Sequence, residues 1–181
     1  MYEKIVVGID ESYTETGIAI IADGKLIHAY GIKFKKCKNK IEKRNMLKSE
    51  LIKIFNKIQG KSKSIVVIIE RIRTFSNNKL RPAYLISTGG LYATIADTSY
   101  SYGYEVYTVD TRAWKSKVVG TCKHDGDPKL PTINFIILKG WEKYIKYMNK
   151  KGIVGYNDNI ADAICIGLYG FCDKTTLKIL D

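Results

Sequence analysis

Apolar residues fall along this chain in short, nearly unbroken runs that alternate with one long amphipathic stretch. Ile5 to Ile9 is a continuous apolar run of the kind that predicts a strand buried on both faces. Gly17 to Ala22 is a second such run, and Leu26 to Phe34 predicts a third strand. Asp23-Gly24 between these two is a two-residue hairpin signal. Over 39–58 the spacing changes: Ile41, Leu47, Leu51, Ile54, Phe55 and Ile58 recur at helical intervals with lysines on the other face, and Gly60 ends the helix. Ser64 to Ile69 is again strand-like and ends at Glu70. Pro82 opens a helix running to about Asp97, and Glu105 to Val109 is a strand ending at Asp110. A short helix is expected around Trp114, then a loop with Gly120, Gly126 and Pro128, two helices over 131–150 and a last helix over 157–171. A hairpin opening followed by alternating helices and strands predicts a mixed α/β sheet, three antiparallel strands and then parallel ones, with helices on its faces.

At 181 residues with 45% hydrophobic content, the chain suits one domain over 1–181 with one core. It has no apolar run long enough for a membrane span and no signal-peptide pattern at its start, so an intracellular, cytoplasmic protein without a membrane partner is expected. Cys37, Cys122, Cys165 and Cys172 form no C-x-x-C pair. Cys122 and His124 lack the second closely spaced pair that a zinc site needs, so free thiols are expected. The formal net charge of +12 favours polyanionic partners, nucleic acid foremost, although lysines on a solvated helix face would give the same excess.

Charge alone does not separate a binder from an enzyme; the carboxylates carry the argument further. Asp10 and Glu70 each follow a strand of buried residues, where a turn residue or a surface charge would also be ordinary. Asp158 and Asp162 are four apart at the start of the last helix and so share a face, although Asp158 could equally be a helix cap. Asp162 lies among Ile160, Ala161, Ala163, Ile164, Cys165 and Ile166, where a carboxylate is costly unless paired or bound to metal. Acids from two strand ends and one helix can converge on a hard divalent cation, magnesium or manganese.

The order of these segments resembles the RuvC family of Holliday junction resolvases. Val7-Gly8-Ile9-Asp10-x-Ser12-x-x-x-Thr16-Gly17-Ile18-Ala19 is similar to the family's first strand and turn, and Ile68-Ile69-Glu70 to its second acidic motif. Trp114-Lys115-x-Lys117-Val118-Val119-Gly120 resembles a lysine-bearing segment, and Asn157-Asp158-Asn159-Ile160-Ala161-Asp162-Ala163-Ile164-x-Ile166-Gly167 the closing helix. The resemblance runs from residue 6 to 167. It implies an RNase H-like fold, a homodimer, and hydrolysis of four-way junctions or other branched DNA with two Mg2+ or Mn2+ ions per active site. Asp10, Glu70, Asp158 and Asp162 are then the metal-binding catalytic acids, with Asp10 bridging. Lys115, with Lys117 and Lys129, is expected at the DNA. Arg71, Arg73 and Phe75 form a basic-aromatic cluster suited to the junction centre, with Phe75 equally acceptable in the core. Gly89-Gly90 lies in the helix that the family uses for dimer contact.

One position departs from that pattern. Where the family has an acid or histidine three residues before the final Asp, this chain has Asn159. Either Asp158 substitutes for it or Asn159 marks a lesion that an acid at 159 would repair. Three other readings remain at this point: a junction-binding protein with impaired catalysis, an RNase H-like nuclease acting on RNA–DNA hybrids, and a fragment of a sugar kinase or actin-like ATPase. The last shares the Asp-x-x-x-x-x-Thr-Gly hairpin but needs a second similar domain.

Overall fold

The computed structural model describes residues 1–71, 82–120, 126–149, 151–172 and 178–179, without the side chains of 82–85, 178 and 179. The three opening strands are β1 (Tyr2–Asp10), β2 (Glu15–Ala22) and β3 (Lys25–Lys33). They form an antiparallel meander in which Asp23 (φ 47°) and Gly24 (φ 78°) make the tight turn, both left-handed as a two-residue hairpin requires. Helix α1 (Lys40–Ile58) follows. Asn39 caps it by accepting from the Glu42 backbone N–H, and Leu47, Leu51, Ile54, Phe55 and Ile58 turn its apolar stripe inward. Strand β4 (Ser62–Glu70) then pairs parallel with β1, helix α2 (Pro82–Ser101) crosses over, and β5 (Glu105–Val109) pairs parallel with β4. A two-residue strand, β8 (Lys178–Ile179), adds antiparallel to β5, so the sheet order is β3-β2-β1-β4-β5-β8. The mixed sheet with an antiparallel opening and a parallel continuation is thus as expected.

Strand alternation divides the core into two layers. Ile5, Val7 and Ile9 of β1 and Val67 and Ile69 of β4 face α1 and α2, whereas Val6 of β1 and Val66 and Ile68 of β4 face the other side. That second layer is built by α3 (Thr111–Trp114), which continues into a single π turn (Lys115–Val119), by α4 (Leu130–Leu138) and α5 (Glu142–Ile145), and above all by α6 (Asp158–Tyr169), which packs on β1 and β2.

Two glycines set how close α6 comes. A Cβ on Gly8 would lie 2.3 Å from the Ala163 carbonyl oxygen, and one on Gly17 would lie 2.0 Å from that of Asn159. These are backbone atoms, so no side chain can swing aside to make room. The helix axis therefore rides directly on the sheet at the end where β1 finishes.

The structure departs from the sequence expectation over 142–156. The second of the two helices expected over 131–150 is a single turn, α5, and the chain then forms a hairpin of β6 (Lys146–Met148) and β7 (Val154–Tyr156). Turn chemistry wins locally. The Asn149 side chain accepts from the backbone N–H groups of Lys151 and Ile153, both at 2.9 Å, and Gly152 takes φ 74°.

Candidate functional site

Asp10 and Glu70 end two neighbouring parallel strands. The register pairs Ile9 with Ile69, so the two acids stand side by side at the carboxyl ends of β1 and β4. By alternation both point to the α6 side, the edge at which open α/β sheets place ligands. Asp162, on the first turns of α6, lies over them. Burial raises the Asp10 carboxyl well above its usual range, and the charges of Asp162, Glu70, Glu11 and Asp158, in that order, raise it further. Three elements far apart in sequence, β1, β4 and α6, thus bring mutually repelling acids close to one another.

Each acid has its own surroundings. Asp162 is pushed up to about 7, chiefly by burial and opposed first by the Lys115 ammonium. Glu70 accepts a hydrogen bond from the Thr111 hydroxyl. Asp158 forms an ion pair with Lys129 and remains about one-third exposed. It is not the cap of α6: Asn157 caps the helix, accepting from Ile160 N–H at 3.1 Å while donating to Glu15 Oε1 at 2.6 Å. Asn159 donates its amide to the Glu15 backbone carbonyl at 2.9 Å, so its side chain ties α6 to β2.

The basic residues divide into groups. Lys115 and Lys129 both act electrostatically on Asp162, and Lys115 also lies 5.2 Å from the centroid of the buried Trp114 ring. Lys117 is exposed on the π turn. Arg71 has its backbone N–H on the Val109 carbonyl and its charge beside Tyr92, which places it on the α2 side of the sheet, away from the face of Asp10. Arg73, Phe75, Cys122 and His124 lie outside the described residues.

Sequence reasoning passed over Glu11. Its Oε2 is fully buried without a hydrogen-bond partner among the described residues, and burial first, then Glu70, raises its carboxyl to about 8. It also acts on Tyr92 of α2, so it sits across the sheet from Asp10. A second acid directly after Asp10 was the available signal. Thr111 and Thr132, which hold Glu70 and act on Asp162, carry no signal at all in a single sequence.

The donor chemistry fits a divalent cation. The converging ligands are carboxylates alone, and the burial and neighbouring negative charge that raise the Asp10 and Asp162 carboxyls are what a bound cation would offset. Among the described residues, however, no three acidic, histidine or cysteine side chains are gathered into a ready-made ligand group. The acids surround the place without closing on one point. No described helix is long and apolar enough to cross a membrane.

No protein-family model matches the sequence, and no curated protein matches it either. Solved structures do. Thermus thermophilus RuvC superposes with TM-score 0.66 at 19% identity, over 97% of this chain and 99% of that one. The fold is that of RuvC. A complex of T. thermophilus RuvC with a Holliday junction substrate matches at TM-score 0.66 and 15% identity, over 98% of this chain and all of that one (100%). The yeast mitochondrial Holliday junction resolvase Ydc2 matches at TM-score 0.54 and 14% identity, over 93% of this chain and 78% of that one. At these identities the likeness to RuvC is one of fold, and the chemistry rests on the residues at the sheet edge.

Proposed function

We propose that this chain is a divalent-metal-dependent DNA endonuclease selective for branched DNA, four-way junctions in particular. The observation that carries this reading is the set of carboxylates on one edge of a RuvC fold: Asp10 beside Glu70 on adjacent parallel strands, with Asp162 of α6 over both. Asp10, Glu70, Asp158 and Asp162 are the residues that would hold two Mg2+ or Mn2+ ions. Bound there, the ions would supply a water-derived nucleophile at neutral pH and neutralise charge on the leaving oxygen. Lys115, already drawn to Asp162, would steer the scissile phosphate onto the acids. Lys129 would exchange its Asp158 partner for a DNA phosphate when the strand arrives. Lys117 would contact the backbone nearby.

Two copies acting together suit a substrate with paired strands to cut. On α2, Ile86 is 68% exposed, and a Cβ added at Gly89 would meet nothing within 4 Å among the described residues. That face is open to a second copy, and the proposed active form is a homodimer. The deciding experiment is cleavage of a labelled four-way junction beside plain duplex and an RNA–DNA hybrid, with Mg2+, with Mn2+ and with EDTA. Metal-dependent cleavage confined to the junction, lost in Asp10→Asn, is expected. Equal cutting of all three substrates, or preference for the hybrid, would overturn the assignment.

A further inference from the structure

Beside Asp158 a groove of about 470 Å³ runs between the end of β3, the start of α1 and the β6–β7 hairpin, lined among others by Lys33, Lys35, Lys43, Tyr147 and Asn157. We propose that this groove holds unpaired nucleotides of the DNA strand next to the cleavage site, with a base stacked on Tyr147. The proposal rests on the nuclease reading but depends on different residues.

Tyr147 is prepared for stacking. It pairs with Gly155 across the hairpin, and a Cβ on that glycine would lie 2.6 Å from Tyr147 Cζ. The ring therefore lies flat across the β7 backbone, in space that any other residue at 155 would fill, while 49% of the tyrosine stays exposed. A ring held flat and wet loses little freedom when a base covers it, and every base has a face to offer. The hairpin is itself fixed beneath. Tyr156 donates to Glu142 Oε1 at 3.0 Å, Lys146 pairs with the same oxygen at 3.1 Å, and the Asn157 backbone N–H meets the Ile145 carbonyl at 2.8 Å.

The opposite wall supplies charge for a phosphodiester backbone. Lys33 and Lys35 are exposed at the groove. Lys43 is anchored by donation to the Tyr13 carbonyl at 3.0 Å and stands 3.2 Å over the Tyr13 ring. The acidic groups of the groove are already answered, Glu15 by Asn157 and Lys33, Asp158 by Lys129. Three lysines facing one tyrosine platform suit a single strand. A duplex would bury its base faces and leave Tyr147 nothing to stack on. The groove reaches Asp158, so a strand lying in it continues onto the candidate catalytic acids.

The test uses the full chain in EDTA, which removes cleavage from the readout. Fluorescein-labelled oligothymidylate of about eight nucleotides is titrated by anisotropy. The wild type is expected to bind. Tyr147→Ala should weaken binding about tenfold, Tyr147→Phe should keep it, and Lys33→Ala/Lys35→Ala should weaken it and flatten its salt dependence. Tyr2→Ala, at the far end of β1, should leave it unchanged. Absence of oligonucleotide binding by the wild type, or full binding by Tyr147→Ala, overturns the proposal. Junction cleavage with Tyr147-independent binding would sink the groove alone. Tyr147-dependent binding without metal-dependent cleavage would sink the nuclease reading alone.

Discussion

The side-chain amide of Asn159 donates to the backbone carbonyl of Glu15 at 2.9 Å, and this bond gives position 159 a use that a carboxylate could not serve. An aspartate there has no proton to donate at neutral pH and would set its charge against a carbonyl oxygen. Asn159→Asp is therefore expected to destabilise the protein by about 1–3 kcal/mol, without raising cleavage. Denaturant melts beside a junction-cleavage assay check this. Higher activity with unchanged stability would show that Asn159 is a lesion after all. Asp158→Asn, by contrast, should cost cleavage while leaving the helix cap intact, because Asn157 is the cap.

Gly8 and Gly17 hold α6 at its distance from the sheet. Gly8→Ala and Gly17→Ala put a methyl group 2.3 Å and 2.0 Å from backbone oxygens, so the helix must lift. Each should cost about 1–3 kcal/mol of stability. Cleavage should fall further than stability explains, because Asp162 moves with the helix. Specific activity measured well below the melting temperature separates the two effects. Unaltered activity in either variant would show that the spacing of α6 from β1 does not matter.

Metal-free protein should lose stability as pH rises from about 5 to about 8. The sign follows from the carboxyls of Asp162, raised from 3.8 to about 7, and Glu11, raised from 4.5 to about 8. Each binds its proton more tightly folded than unfolded. Its contribution is complete below the unfolded value and disappears as pH climbs through the folded one. Adding Mg2+ should restore stability most at the alkaline end. A flat profile in EDTA across that range would contradict the crowding of acids at this edge.

Asp10→Asn should remove cleavage yet raise the metal-free melting temperature. Asp10 is the acid most pressed by burial and by its neighbours. An asparagine needs neither the buried charge nor the proton that the raised carboxyl takes up on folding, and a gain of about 1 kcal/mol corresponds to about 2–4 °C in a chain of this size. A calorimetric scan in EDTA measures the shift. A lowered melting temperature would mean that the Asp10 carboxylate is stabilised by partners rather than strained.

Much of this was legible in the residues because buried strands leave a clear mark. Ile5–Ile9 and Ile65–Ile69 are apolar on both faces, so the acid that follows each run stands out, and equal run lengths in parallel neighbours bring Asp10 level with Glu70. What the runs do not reveal is facing. Glu11 adjoins Asp10 in sequence but lies across the sheet from it, and Arg71 parts from Glu70 in the same way. The β6–β7 hairpin escaped notice because lysines and tyrosines suit a helix about as well as a strand. The deciding signals, Asn149 and Gly152, lie in the turn rather than in the strands. Small hydroxyl residues such as Thr111 become meaningful only once the acid they touch is in place.

The glycine-seated helix α6 also has a consequence in time. Asp10 and Glu70 come from the earlier half of the chain, and Asp158 and Asp162 come from α6, the last helix among the described residues. A ribosome making about 5–20 residues per second delivers the two pairs several seconds apart or more. Until α6 emerges and docks on Gly8 and Gly17, the nascent chain carries only two of the four proposed metal-binding acids. If the chain is the nuclease proposed above, synthesis acts as its own safety catch: a stalled or truncated product that lacks α6 would lack two of the four proposed metal-binding acids and would not cut DNA.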